Sequence, residues 1–116
     1  MGKILDYKHG ESSVSAVDER LWDIVQHAIA AQPYDVIIRS GSERGEGDKG
    51  NHSGGYAVDI TMIDKDGKTP LKDSGPTNFA IYERYAQAAR VYQMATYPEL
   101  NRVFRWGGGF RQGGTP

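Results

Sequence analysis

A histidine and an aspartate stand seven positions apart near the middle of the chain, at His52 and Asp59. His52 lies in a glycine-rich stretch that predicts a loop, and Asp59 lies in a run rich in β-branched residues that predicts a strand over 57–62. A carboxylate in an apolar strand is costly to bury unless another group pairs with it. A zinc ion bound by both side chains would provide that partner, since zinc accepts imidazole nitrogen and carboxylate oxygen at about 2.0–2.2 Å. A direct hydrogen bond between the two side chains is the alternative.

The predicted strand carries different side chains on its two faces, because successive residues of a strand point to opposite sides. The small and polar residues form one set and the larger apolar residues form the other: Ala57, Asp59 and Thr61 against Val58, Ile60 and Met62. We therefore expect the face with Asp59 to look toward a site and the other face to look toward the hydrophobic core.

The composition limits the classes of protein to which the chain can belong. Its 116 residues suffice for one modest core, so we expect a single domain over 1–116. A net charge of −1 gives no sign of nucleic-acid binding. Without cysteine, the fold has neither a disulfide nor a thiolate zinc site. No apolar run reaches the length of a membrane span and no signal-peptide core is visible, so we expect neither.

A first helix is predicted over 15–32. Ser15 and Asp18 resemble a capping pair, and Pro33 ends the helix. Its apolar stripe should face the sheet and consists of Leu21, Ile24, Val25, Ala28 and Ile29. His27 falls beside this stripe and is predicted to be structural.

A second helix is predicted from Thr77 or Asn78 to about Thr96, with an apolar stripe of Ile81, Tyr85, Ala88, Ala89 and Tyr92. Strands are predicted at 34–39, 57–62 and 102–106, with an arm or short edge strand within 1–13 and a hairpin turn at Asp66-Gly67. His9 is predicted to be a surface residue. These elements predict an α+β domain, in which two main helices pack on a small, mostly antiparallel sheet.

The stretch around the histidine and the aspartate resembles a family signature. His52, Gly55, Ala57 and Asp59 fit the pattern His-x-x-Gly-x-Ala-x-Asp. That pattern is typical of the zinc D-Ala-D-Ala carboxypeptidase and L-alanyl-D-glutamate peptidase family, which has the Hedgehog/DD-peptidase fold and includes many phage endolysins. Three further segments follow the family's order: Ser40-Gly41-Ser42-Glu43-Arg44, Ala88-Ala89 and Trp106-Gly107-Gly108. The arginine stands one place later than in the family, and the loop before His52 is shorter.

The resemblance implies a zinc peptidase that cuts peptidoglycan stem peptides, in a phage or bacterial setting of cell-wall lysis. It implies that His52 and Asp59 bind zinc, which lowers the pKa of a bound water toward about 7 so that hydroxide can attack a peptide carbonyl. Arg44 is then the candidate that steadies the oxyanion or a substrate carboxylate, with a solvated loop charge as the alternative. Ser40 and Trp106 are candidates for substrate binding, with capping of the strand end and core packing as their alternatives.

Two parts of the family's site have no counterpart in the sequence. The family has a histidine ligand after its Trp-Gly-Gly segment and an acidic general base shortly before that ligand, whereas no histidine follows His52. The resemblance therefore implies either a chain that ends before the third ligand, as a truncated form, or a non-catalytic relative that binds cell wall or belongs to a virion. A substitute base could come from Glu43, Glu46 or Asp48, and nothing singles one out. A glycine-loop protein without zinc is a third possibility.

Overall fold

The computed structural model describes residues 1–40, 58–71 and 76–100, with the backbone alone described at Ser40. Their elements are, in chain order, β1 (Ile4–Tyr7), a 3-10 turn (Glu11–Val14), α1 (Glu19–Ala30), β2 (Asp35–Ser40), β3 (Asp59–Ile63), α2 (Pro76–Thr96) and a second 3-10 turn (Pro98–Leu100). Two helices and a three-stranded sheet make this an α+β arrangement, which confirms the predicted class.

Helix α1 begins at Glu19 because Asp18 caps it. The Asp18 carboxylate accepts hydrogen bonds from the backbone N–H groups of Arg20 at 2.9 Å and Leu21 at 3.4 Å. Its side-chain hydrogen bonds with the Arg20 guanidinium hold the pKa of Asp18 below the ordinary value. The predicted helix start at Ser15 is wrong, since Ser15 ends the preceding 3-10 turn.

Within the described ranges, the sheet has the order β1-β2-β3 and is mixed, whereas a mostly antiparallel sheet was predicted. β1 runs parallel to β2, and β3 runs antiparallel to β2. The parallel pair arises because α1 carries the chain from the end of β1 back to the start of β2, which is a β-α-β connection. Among the described strands, β1 lies at an edge of the sheet, as predicted.

Both helices pack on one face of the sheet and enclose the core. α1 buries every residue of its predicted stripe, which confirms the predicted face: Leu21, Ile24, Val25, Ala28 and Ile29. The sheet contributes Val36 and Ile38 from β2 and Met62 from β3, each fully buried. These side chains alternate with Ile37 and Thr61, which therefore point to the opposite face of the sheet.

Helix α2 begins at Pro76, before the predicted start at Thr77 or Asn78. Proline suits the first position of a helix, because its φ is preset and its missing N–H would have no partner there. The buried face of the helix consists of Tyr82, Tyr85, Ala86, Ala89 and Gln93. The predicted stripe is therefore wrong in part, since Ile81, Ala88 and Tyr92 are only half-buried. Neither described helix is long and apolar enough to span a membrane.

A turn at Asp66 and Gly67 follows β3, as predicted. The Asp66 carboxylate is bonded by the Thr69 hydroxyl and by the backbone N–H groups of Lys68 and Thr69, each N–H at 2.8 Å, and these bonds lower the pKa of Asp66. Gly67 has a φ of 78°, a region that glycine adopts without steric cost. The turn folds the chain back, so that Thr69 accepts a hydrogen bond from Asp64 N–H at 2.7 Å.

Candidate functional site

Ser40 and Asp59 mark one end of the sheet. Ser40 is the last residue of β2, Asp59 is the first residue of β3, and the two are partners in the antiparallel register. The part of the chain that contains His52 connects these two positions. His52, Arg44 and Trp106 lie outside the described residues, so their roles stay predictions. Two of the predicted site residues, Ser40 and Asp59, are thus neighbours. The chain leaves the sheet at Ser40 and returns to it at Asp59, and His52 lies in the segment between them.

The side chain of Asp59 lies on the sheet face opposite to the two helices. The side chains of Asp59 and Thr61 point to the same face of the sheet. The side chains of Ile60 and Met62 point to the other face and pack with the core beneath the helices. Asp59 is exposed and Met62 is fully buried. The predicted division of the strand into a polar face and a core face is confirmed for these four residues. Ile63 is an exception, because it lies on the same side as Asp59 and is buried.

A β-bulge lies beside Asp59. Ile38 pairs with Ile60, and the next pair joins Ser40 to Asp59, so Arg39 is the extra residue of β2. Bulges bend a strand and redirect its side chains, and they often lie next to active sites. The exposed Arg39 is absent from the predicted site, because a bulge depends on the register of two strands and the sequence pattern gives only one strand at a time. Its guanidinium could bind a carboxylate or a developing oxyanion.

The described residues supply one of the predicted zinc ligands. Asp59 is accessible to a metal ion because it is exposed. Within residues 1–40, 58–71 and 76–100, no three side chains of histidine, aspartate or glutamate converge on a possible metal position. A zinc site with Asp59 and at least two further protein ligands would therefore need at least one ligand from outside these ranges, and His52 is the predicted one. One carboxylate and one imidazole are a donor set that suits zinc.

Tyr82 of α2 holds β3 from the side away from β2. Its buried hydroxyl accepts a hydrogen bond from Met62 N–H at 2.8 Å and donates one to the Leu71 carbonyl at 2.7 Å. The Tyr82 side chain is buried and belongs to the hydrophobic core. The two hydrogen bonds could not be predicted, since the partners are distant in sequence and the hydroxyl has no periodic pattern.

A second polar cluster links the two helices on the other side of the sheet from Asp59. The Asp23 carboxylate accepts hydrogen bonds through one oxygen from the hydroxyls of Tyr92 at 2.9 Å and Tyr97 at 2.7 Å. These bonds raise the pKa of Tyr97 to about 12, and they raise the pKa of Tyr92 as well. His27 stacks on Tyr92 with ring centroids 3.8 Å apart. This position confirms the structural role predicted for His27.

His9 lies at the same end of the sheet as the candidate site. It follows β1, whose last pair joins Tyr7 to Ile38, so β1 ends at the same end of the sheet as Ser40 and Asp59. His9 is exposed, which confirms its predicted surface position. β2 separates β1 from β3, which places the two outer strands about 10 Å apart.

Comparisons with known proteins add no family to this description. No family model, no curated protein and no solved structure matches the chain. The α+β class follows from the described helices and strands themselves, and the resemblance to the zinc peptidases stays an expectation from the sequence.

Proposed function

We propose that the chain is a zinc-dependent peptidase-like domain of the Hedgehog/DD-peptidase fold, which acts on peptidoglycan stem peptides in cell-wall lysis. The observation that carries this proposal is the pairing of Ser40 with Asp59 at the end of β2 and β3. It puts the aspartate of the His-x-x-Gly-x-Ala-x-Asp pattern on an accessible face, beside the strand end from which the chain leads to His52. A ligand can reach an exposed carboxylate at this position without displacing the core.

The chemistry of the proposed site follows from its donor types. Zinc bound by His52 and Asp59 would supply an activated water and a polarised substrate carbonyl. β3 contributes rigidity, because Asp59 is held in extended backbone by its pairing with β2. The guanidinium of Arg44 would bind the oxyanion or a terminal carboxylate, while Ser40 and Trp106 would contact the substrate.

A non-catalytic module that binds cell-wall peptide, for example in a virion, is the second candidate. It requires an accessible carboxylate at Asp59 but no bound zinc, so the exposure of Asp59 suits this candidate as well. Such a module would bind a stem peptide and leave it intact.

Incubation of a synthetic stem pentapeptide with the zinc-loaded chain, followed by mass spectrometry, separates the two candidates. A peptidase should release a shorter peptide, and EDTA or the variant Asp59→Asn should abolish the release. Asp64→Asn is the matched control, because Asp64 is an exposed carboxylate just beyond the other end of β3 and should not affect cleavage. Binding without cleavage supports the second candidate, and the absence of both contradicts the two together.

A further inference from the structure

The strand β3 has two edges with backbone hydrogen-bonding groups. In the described part of the chain, one edge pairs with β2 and the other pairs only in part. Toward β2, every residue of β3 has a register partner, and the register shifts by one residue at the Arg39 bulge. On the outer edge, the described partners are the residues after the Asp66 turn, and the last of these contacts is Leu71 N–H donating to the Met62 carbonyl at 2.8 Å. The outer edge is therefore paired at the end of β3 that is distant from Asp59.

The Tyr82 hydroxyl interrupts this outer ladder. In an uninterrupted antiparallel pair, Met62 N–H would donate directly to the Leu71 carbonyl. Here the hydroxyl lies between the two groups and bonds to both. Two hydrogen bonds in series hold the Met62 N–H and the Leu71 carbonyl farther apart than one direct bond would.

Ile60 is the next residue of β3 whose backbone groups point outward. Alternate residues of a strand direct N–H and C=O to the same side, and Met62 directs both outward. The neighbouring strand gives the same result independently. Ile38, the register partner of Ile60, accepts a hydrogen bond from Lys8 N–H through its carbonyl, so the backbone groups of Ile38 face β1 and not β3. Among the described parts of the chain, no backbone group pairs with the outward N–H and C=O of Ile60.

We propose that an extended peptide binds to this edge as an added strand, through hydrogen bonds to the N–H and C=O of Ile60. In this mode of recognition, main-chain hydrogen bonds give affinity and the strand geometry sets the register. The peptide would lie about 4.8 Å from β3 and alongside Asp59, the residue next to Ile60. The position beside Asp59 favours a substrate peptide over a second copy of the chain. A peptide that is to be cut must lie close to the zinc ion, and Asp59 is a proposed zinc ligand. The inference rests on the proposed function for the identity of the peptide, a peptidoglycan stem peptide.

Amide hydrogen exchange measured by NMR on the full chain tests the added strand. The amide of Ile60 should exchange rapidly in the free chain, whereas the amide of Thr61, which faces β2, should be protected. A stem pentapeptide added in the presence of EDTA, which prevents turnover, should slow the exchange of Ile60 by roughly tenfold, since one hydrogen bond contributes about this factor. The exchange of Thr61 should not change.

Two modified peptides provide a matched comparison that leaves the protein unaltered. N-methylation of the peptide amide that pairs with Ile60 removes a ladder hydrogen bond, while N-methylation of the next amide, which points away from β3, does not. The first peptide should bind roughly 2–10-fold more weakly than the second. Equal affinities would contradict the added strand.

Three further results would overturn the inference: protection of Ile60 in the free chain, peptide binding without any change at Ile60, and no binding of the peptide at all. The first of these would mean that residues of the chain itself already pair with the edge. Failure of this inference is distinguishable from failure of the proposed function. Cleavage without protection of the Ile60 amide contradicts the added strand but supports the peptidase. Protection of the Ile60 amide without cleavage supports the added strand but contradicts the peptidase.

Discussion

Ser40 and Asp59 are partners across the antiparallel strands β2 and β3, and the bulge at Arg39 directly precedes this pair. The pairing fixes the backbone on both sides of the chain segment that contains His52. It also leaves the Asp59 side chain exposed on the face opposite to the helices. A ligand that reaches Asp59 therefore need not displace the core.

The variant Tyr82→Phe should destabilise the fold by about 1–3 kcal/mol. It removes the hydroxyl that bonds to both Met62 N–H and the Leu71 carbonyl, so two backbone groups lose their partner. Urea denaturation of the variant and the wild type measures the difference. Tyr85→Phe is the matched control on the same helix face, and it should change the free energy of unfolding much less, because burial, without a hydrogen bond to a described residue, raises the pKa of the Tyr85 hydroxyl. Equal effects of the two substitutions would count against the bridging role of Tyr82.

The variant Ile24→Ala should cost about 2–5 kcal/mol, because the side chain is fully buried between α1 and the sheet. Val91→Ala makes a smaller change on the 66 % exposed Val91 of α2 and should stay within about 0.5 kcal/mol of the wild type. Thermal or chemical unfolding gives both values. A change below about 1 kcal/mol for Ile24→Ala would show that the stripe of α1 is not the core face.

The Asp23 cluster should make stability depend on alkaline pH. The pKa of Tyr97 is raised from 10.0 to about 12, mainly because its hydroxyl donates to Asp23. The folded chain thus retains this proton where the unfolded chain has lost it. The contribution of the Tyr97 proton to the free energy of unfolding is fully present below pH 10, and it is lost as the pH rises toward about 12.

In Asp23→Asn the negative charge is absent, so the pKa of Tyr97 should fall toward its ordinary value and the loss of stability above pH 10 should be smaller. Ultraviolet titration of the phenolate and denaturation at several alkaline pH values measure the two effects. Glu19→Gln, at an exposed carboxylate of α1, is the control and should leave the titration unchanged. An unaltered tyrosine titration in Asp23→Asn would refute the assigned cause.

The fold was predictable where a local pattern determines it. The aliphatic residues of α1 recur with the helical period, and every residue of that stripe is buried. On α2 the apolar pattern predicted a buried face that is rotated from the observed one. The observed face includes Tyr82 and Gln93, whose polar groups form hydrogen bonds inside the fold. The parallel pairing of β1 with β2 was not predictable from either strand, since it depends on how α1 connects them.

The candidate site was predictable in a similarly limited way. Alternation along β3 predicted that Asp59 and Met62 face opposite sides, as they do. Arg39 and the outward edge at Ile60 were not predictable, because both depend on the register between strands that are distant in sequence. The positions of His52 and Arg44 lie outside the described residues and stay predictions.

Zinc titration of the full chain by calorimetry tests the central claim most directly. We predict weak binding of one zinc ion, because two protein ligands leave two tetrahedral positions to water. His52→Ala and Asp59→Ala should each weaken binding by about tenfold or more, since the loss of a direct ligand costs at least as much as the loss of a group that supports one. His27→Ala is the control and should bind like the wild type, because α1 packs on the sheet face opposite to Asp59. Unchanged zinc affinity in His52→Ala and Asp59→Ala would contradict a metal site shared by these two residues.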